Sequence, residues 1–377
     1  MGAFRKLSLV ALAAAVGMKY FNFDVLKGLD SNTEYENWQL QMMVAGFCLS
    51  PIPGKLLAAP VNGSDGETFT TAGEGDIQDD EYEQSSIYSI LYAMYRNAPE
   101  LVSNHGVKYQ FTFNTWGIAP SPYPEKDPQR HGKAAYAGLV TQPPVMDYIK
   151  AMPKGQKLQI VEVGCGTGAG ANLITREVHP TSNYLALDMQ AAAINTCKRI
   201  HATADNKGLT CQLIPNGVGL NGSPIPLGDN TADIVVISET HIADVQIGDL
   251  EKSIFAEIRR VLKPGGFFVW GNALPTRVWL EGNQYLPTAG FELAHNKNHT
   301  AGAITARDED KERVDLAVMQ LLSPYIGTKL PYFGERCLKV GERLIANFYR
   351  HPGTAMYIKM TTGFDSYMHQ AWRAVKA

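Results

Sequence analysis

Leu158-Gln-Ile-Val-Glu-Val-Gly-Cys-Gly-Thr-Gly-Ala-Gly170 is the stretch that decides the fold. Its first six residues make a short apolar run of the length of a buried strand. Gly164, Gly166, Gly168 and Gly170 then break the chain into a loop, and Ala171-Asn-Leu-Ile-Thr-Arg176 has helical character. A strand, a glycine-rich turn and a helix N-terminus form a corner suited to a nucleotide-like cofactor. Glycine permits the tight turn and takes the Cβ out of a ligand's path. The pattern specifies a cofactor site without naming the cofactor.

Working outward, residues 134–150 predict a helix leading into the strand. Downstream the alternation is regular. The strand at 158–163 precedes a helix near 170–178. The strand Tyr184–Asp188 precedes a helix near 190–204. A strand at 209–214 follows, then the strand Asp233–Ser238, a helix near 249–262, a Gly265-Gly266 turn and the strand Phe267–Trp270. Repeated strand-then-helix units imply a parallel sheet covered by helices on both faces. After 275 the rhythm breaks. Residues 306–323 predict a charged amphipathic helix, and 337–349 and 354–362 two closing strands.

The upstream third has a different texture. Glu34–Phe47 and Ser85–Arg96 have helical patterns. In the second, Tyr88, Tyr92 and Tyr95 share one face. They either pack on a core or wall a substrate. Residues 61–81 read as a solvated loop. Tyr109–Gly117 carries aromatics at period two and reads as extended. Ala119–Pro124 reads as a rigid connector.

The 377 residues suffice for one large or two modest domains, and 45% hydrophobic content supports a real core. A formal net charge of -3 provides no basic field for nucleic acid. The five cysteines, at 48, 165, 197, 211 and 337, include no C-x-x-C pair. An odd, unpatterned set points to a reducing compartment rather than a disulfide scaffold or a zinc site. The expected location is cytoplasmic. The apolar run within residues 4–18 is shorter than the roughly 20 residues of a spanning helix. Three readings stay open for it: a helix docked on the fold, a peripheral membrane contact, or a signal-like segment.

Asp188 lies about twenty residues beyond the glycine loop, where a carboxylate can accept from both ribose hydroxyls. Gly164-x-Gly-x-x-Ala169 also fits a loose dinucleotide fingerprint, so a nicotinamide enzyme enters the comparison. Three features count against it: Glu162 two residues before the first glycine, the mid-chain position of the corner, and Val261-Leu-Lys-Pro-Gly-Gly-Phe-Phe268 after the fourth helix.

Together, Glu162–Gly168, Asp188, Asp233-Ile-Val-Val-Ile237 and Arg260-Val-Leu-Lys-Pro-Gly-Gly266 resemble the class I S-adenosylmethionine-dependent methyltransferases, in order and spacing, across about residues 155–275. The resemblance implies an α/β fold: a Rossmann-like methyltransferase sheet with helices on both faces. A mainly helical N-terminal extension (1–130) would precede the core (131–275). A lid insertion (276–336) and the closing strands with the tail (337–377) would follow. It implies S-adenosyl-L-methionine as cofactor. Glu162, Gly164, Cys165, Gly166 and Gly168 would face its methionine part, Asp188 with Met189 its ribose, and Asn216-Gly217 its adenine. Ser238, at the end of the fourth strand, completes the set. Asn216 departs from the acidic residue many relatives carry there.

A second, closer resemblance spans more of the chain. Gly168–Pro180, Phe113-Asn-Thr-Trp-Gly117 and the tyrosine-rich stretch near 349–357 are similar to the phthiotriol/phenolphthiotriol dimycocerosate O-methyltransferases. Ser238-Glu-Thr-His241 resembles both that group and the sterol methyltransferases. Residues 1–80 have no matched counterpart.

In methyl transfer from a sulfonium, the protein aligns donor and acceptor and takes up a proton when the acceptor is a hydroxyl. His241, just past the fourth strand, is the leading general base, against a structural role in orienting the loop. Glu239 is the second catalytic candidate, contacting substrate or balancing the sulfonium charge. His295 and His299 are runners-up. Their spacing of four hints at a metal, but no carboxylate pairs with them and Asn-Lys-Asn between them is a poor helix, so no metal site is assigned. Tyr92, Tyr95, Phe113, Trp116 and His295 are the candidate substrate residues, with Trp279, Tyr285 and Phe291 in the later insertion. These aromatics either close over an apolar small-molecule substrate or fill a second core. Three functions follow: O-methylation of a lipid-like, polyketide-like or phenolic hydroxyl, C-methylation of an isoprenoid or sterol-like alkene, and a non-catalytic cofactor-binding scaffold.

Overall fold

In the computed structural model, the described residues are 101–103, 105–109, 113–215, 217–219, 222–240, 247–322, 346 and 349–375. The expected helices at 34–47 and 85–96, the apolar run 4–18, and Tyr92, Tyr95, Asn216 and His241 lie outside them.

A short antiparallel pair, β1 (Leu101–Val102) and β2 (Lys108–Tyr109), leads in. The rest is built on a seven-stranded sheet. Its strands are β3 (Gln159–Val163), β4 (Asn183–Asp188), β5 (Leu209–Leu213), β6 (Ala232–Ser238), β7 (Leu262–Pro275), β8 (Phe291–Asn298) and β9 (Asp365–Ala374). They lie in the order β5-β4-β3-β6-β7-β9-β8. β3 pairs in parallel with β4 and β6, β4 with β5, and β6 with β7. β9 runs antiparallel to both its neighbours, β7 and β8.

The helices are α1 (Arg130–Val140), α2 (Pro143–Ala151), α3 (Ala169–Leu173), α4 (Ala191–Ile200), α5 (Asp249–Val261), α6 (Thr276–Thr288), α7 (Thr300–Glu309), α8 (Lys311–Leu322) and α9 (Ala355–Thr361). Leu139 and Val140 of α1, Val145 of α2, Leu173 of α3 and Ile194 of α4 pack on one face of the sheet. Phe255 and Ile258 of α5 and Val278 and Trp279 of α6 pack on the other. The central strand shows why the chain folds this way. All seven residues of β6 are buried, with Ile234 and Val236 in the first cluster and Val235 and Ile237 in the second. A strand apolar on both faces must sit mid-sheet between two helical layers. Each such side chain contributes about 1.5–3 kcal/mol of burial free energy.

Asp233 registers the central layer from a fully buried position. Its Oδ1 accepts from Tyr148 Oη at 2.7 Å and Lys263 Nζ at 2.8 Å, and its Oδ2 accepts from the Gln159 backbone N–H at 2.8 Å. One carboxylate thereby fixes α2, the start of β3 and the turn that opens β7.

Several expectations are corrected. Residues 354–362, expected as a strand, contain α9. A short mixed apolar run cannot distinguish strand from helix by period alone, and Met360 seats this one against Trp116 and Ile118. The closing strand is instead β9, whose antiparallel direction the uniform strand-helix rhythm did not announce. The single helix expected over 306–323 is divided between α7 and α8 at Asp310. Residues 276–298, assigned to a lid insertion, supply α6 and the outermost strand β8. β8 is largely polar, as a solvent-exposed edge strand is. Cys197 and Cys211 form a disulfide, against the expectation of unpaired thiols. The packing of α4 on β5 unites them, which no local motif announces.

Candidate active site

The sheet order reverses between β3 and β6. The chain moves outward from β3 through β4 to β5 on one side, and from β6 to β7 on the other. A crevice forms at the carboxyl ends of the strands at such a reversal. The glycine loop, Asp188 and Ser238–Thr240 all emerge at this point.

The loop begins with two bonds to the neighbouring strand. The backbone N–H groups of Gly164 and Cys165 donate to the Leu187 carbonyl at 2.8 and 2.9 Å. Gly164, with φ 79°, lies under Thr240, and a Cβ there would collide with that side chain. Thr240 Oγ1 in turn donates to the Val163 and Gly164 carbonyls, at 3.1 and 3.2 Å. Gly170 lies under the Tyr136 ring, which occupies the space of a Cβ. These glycines therefore answer protein packing as well as ligand approach.

Asp188 ends β4. Its Oδ2 accepts from the Gly166 N–H and its Oδ1 from the Gln190 N–H, both at 2.8 Å. Burial pushes its pKa up, and the backbone donors at Gln190, Gly166 and Met189 oppose that rise. Met189 beside it is 50% exposed. Its sulfur stands 3.9 Å from where a Cβ would project at Gly217, so the end of β4 and the turn after β5 form adjacent walls.

Glu162 faces the α1 side of the sheet, fully buried, with Oε2 accepting from Tyr184 Oη at 3.0 Å. Burial raises its pKa to about 8, against the lowering influence of the Tyr184 and Tyr136 hydroxyls. The Tyr136 hydroxyl also reaches Ser238, and burial raises its own pKa well above the usual phenol value. Cys165 is a buried free thiol, its pKa raised mainly by burial.

This geometry has relatives. Residues 160–266 match a family model described as a methyltransferase domain. That segment is a class I S-adenosylmethionine-dependent methyltransferase domain. The chain is similar to the phthiotriol/phenolphthiotriol dimycocerosates methyltransferase of Mycobacterium tuberculosis, 33% identical over 117 residues, covering 31% of this chain and 38% of the relative. It is also similar to the fatty-acid O-methyltransferase of Mycolicibacterium smegmatis, 32% identical over 121 residues, with the same coverage. The chain thus spans well under half the length of these two relatives. Among solved structures, the cyclopropane synthase MmaA2 of Mycobacterium tuberculosis superposes with a TM-score of 0.47 at 12% identity, covering 74% of this chain and 98% of that one.

S-adenosylmethionine is the cofactor of this domain. The residues present fit it. Backbone donors at Gln190, Gly166 and Met189 engage the Asp188 carboxylate, and its four acceptor sites leave one for a ribose hydroxyl. The half-exposed Met189 beside Gly217 offers a polarizable apolar side to adenine. The turn from Gly164 to Gly168 carries left-handed glycines at 164, 166 and 168, which let the backbone itself approach the methionine part.

The domain gathers most of the expected cofactor residues. Glu162, Gly164, Cys165, Gly166, Gly168, Asp188, Met189, Gly217 and Ser238 border the crevice or the strand ends that form it. Other candidates fall elsewhere. His295 sits on β8, three strands from β6, a separation on the order of 14 Å at ordinary strand spacing. Its Nδ1 is 2.8 Å from Gln142 Oε1. His299 packs against His369 with ring centroids 4.6 Å apart and the planes tilted by 57°. Burial first, then Lys297 and His295, lowers its pKa to about 4. Trp116 is 1% exposed and packs in a cluster with Ala134, Ala303, Met360 and Tyr367, which is core rather than substrate wall. Phe113 lies against Gly132 and meets the Tyr136 ring edge-on at 5.7 Å. Trp279 and Phe291 belong to the core cluster, with Tyr285 packed against it.

Tyr136, Thr240 and Arg350 were not expected at the site. Tyr136 looks like any apolar position of α1, and Arg350 lies in a segment with no period. A glycine at position 170, inside a helix, was the one available sign that a large ring lies across it.

Proposed function

We propose that the chain catalyses methyl transfer from S-adenosylmethionine to a hydroxyl of a lipid-like small molecule. The observation that carries this reading is the methyltransferase domain with its intact glycine turn and Asp188 at the sheet's switch point. The lipid class is supported by the printed names of the mycobacterial relatives, one for dimycocerosates and one for fatty acids.

When bound, the cofactor supplies an electrophilic methyl group. The chain's own part is orientation and proton handling. Asp188 fixes the ribose end, and the loop from Gly164 to Gly168 shapes the methionine end. An acceptor hydroxyl enters at the carboxyl edge beside Ser238. His241, three residues past the end of β6, is assigned to take the acceptor's proton, because an imidazole titrates near neutrality. Tyr136, held protonated by burial, is a donor at this edge and not the base. Glu239 is ranked second to His241, because Thr115 and Trp116 engage its Oε1 and Arg350 stands 2.8 Å from its Oε2. The same engagement favours the O-methyl reading over an alkene C-methyltransferase, which would use this carboxylate to stabilise a carbocation.

The test is incubation with methyl-labelled S-adenosylmethionine and three acceptors: nonylphenol, hexadecanol and lanosterol. Label on the oxygen of either of the first two supports the proposal. Label only on lanosterol carbon would replace it with the C-methyl reading. Cofactor binding without transfer to any acceptor would leave the scaffold reading.

A further inference from the structure

Glu239 is the first residue past β6, and its side chain is 3% exposed. It adopts φ 48°, a left-handed backbone conformation that non-glycine residues rarely take. Its own N–H is anchored to the Gly271 carbonyl of β7 at 2.8 Å. Oε1 accepts from the Thr115 hydroxyl at 2.5 Å and from the Trp116 N–H at 2.7 Å. Oε2 lies 2.8 Å from Arg350 Nη2. Arg350 has a left-handed φ of 56° as well. Its Nη1 donates to Asn114 Oδ1 at 2.8 Å, and its guanidinium lies over the Trp116 ring, 5.7 Å from the centroid.

The partners come from two distant parts of the chain. Asn114–Trp116 precedes the methyltransferase domain at 160–266, and Arg350 follows it. Both converge on one carboxylate at the tip of the strand that borders the crevice. The next residue, Thr240, is bonded to the glycine loop. The first segment is pinned further on by Ile118 N–H to the His131 carbonyl, at 3.0 Å, and by Ala119 N–H to Gly302, at 3.0 Å. The buried carboxylate is thus held on one oxygen by two hydrogen-bond donors and faces a guanidinium with the other.

We propose that Glu239 is a positioning residue, tying the segment Asn114–Gly117 and Arg350 to the tip of β6, so that the stretches flanking the methyltransferase domain close the crevice as one unit. The tie is a property of the fold. Its effect on turnover rests on the methyl-transfer reading given above.

The experiment compares backbone hydrogen exchange by mass spectrometry in the full chain and in Glu239→Gln and Thr115→Val. S-adenosylhomocysteine titration and initial rates with nonylphenol accompany it. Glu239→Gln should speed exchange in peptides covering 113–118 and 349–353 by roughly tenfold or more, with β3 and β6 unchanged. S-adenosylhomocysteine affinity should stay within about threefold, while turnover of nonylphenol falls by roughly tenfold. Unchanged exchange at 113–118 would overturn the proposal. If Glu239→Gln loosens the whole sheet, Thr115→Val decides, because it removes one donor and keeps the ion pair. Loosening confined to 113–118 in that variant supports the tie, and none overturns it. If the unsubstituted protein leaves nonylphenol unmethylated, the substrate reading fails while the exchange result still decides the tie.

Discussion

Gly164→Ala isolates what the glycine turn does. The residue has φ 79°, where an L-residue costs about 1–2 kcal/mol relative to the right-handed region. The added Cβ would also stand 2.8 Å from Thr240 Cβ and closer still to the two branches of that side chain. Thr240 cannot swing away freely, because its hydroxyl bonds the Val163 and Gly164 carbonyls. Overpacking of this kind costs about 1–3 kcal/mol. The substitution should therefore destabilise by about 2–5 kcal/mol in urea unfolding and weaken S-adenosylhomocysteine binding. A double-mutant cycle separates the two causes. Adding Thr240→Gly removes the collision and leaves the backbone strain, so about 1–3 kcal/mol of coupling is expected between the sites. Additive effects would refute the packing argument. A neutral Gly164→Ala would refute the left-handed turn itself.

Two further outcomes follow from the same site. Glu162 has a folded-state pKa near 8, above that of a free carboxylate, because burial disfavours its charge. Its favourable contribution is full below the unfolded value, near 4.3, and is lost as pH rises through about 8. Urea midpoints of the unsubstituted protein should fall between about pH 5 and pH 8.5, and Glu162→Gln should flatten that fall; an equal slope in both would contradict the buried assignment. His241→Ala should lower turnover by about 10²–10⁴-fold with cofactor affinity little changed. Rate measurements paired with calorimetry check this, and parallel loss of rate and affinity would mark a structural histidine.

The core was legible because its signals are local and redundant. Ile160 and Val161 of β3 and Ile234–Ile237 of β6 put apolar side chains on both faces, as a mid-sheet strand requires. The glycine turn and Asp188 then locate the switch point by their spacing. What the sequence hid depends on contacts between distant residues. β8 is polar because it is an edge, so it shows no apolar period, and His295 on it, with His299 just past its end, reads as a candidate site instead of as sheet. α9 is too short for its period to separate helix from strand. Cys197 and Cys211 meet through packing of one element on another. Glu239 was recognisable as important from its place after the strand, but the contacts that hold it were not. An acidic residue at a strand end looks available in sequence, and only the fold shows Thr115, Trp116 and Arg350 already holding it. For Trp116 the sequence left substrate wall and second core open, and the buried cluster it fills favours the second.

The central claim is that the crevice at the reversal between β3 and β6 holds S-adenosylmethionine with its ribose on Asp188. Calorimetric titration of S-adenosylhomocysteine into the full chain and into Asp188→Ala tests it directly. A hydrogen bond to a charged acceptor contributes about 1.5–3 kcal/mol. The account predicts stoichiometric binding to the unsubstituted protein and at least roughly tenfold weaker binding to the variant. Equal affinities, or no binding to the unsubstituted protein, would contradict it.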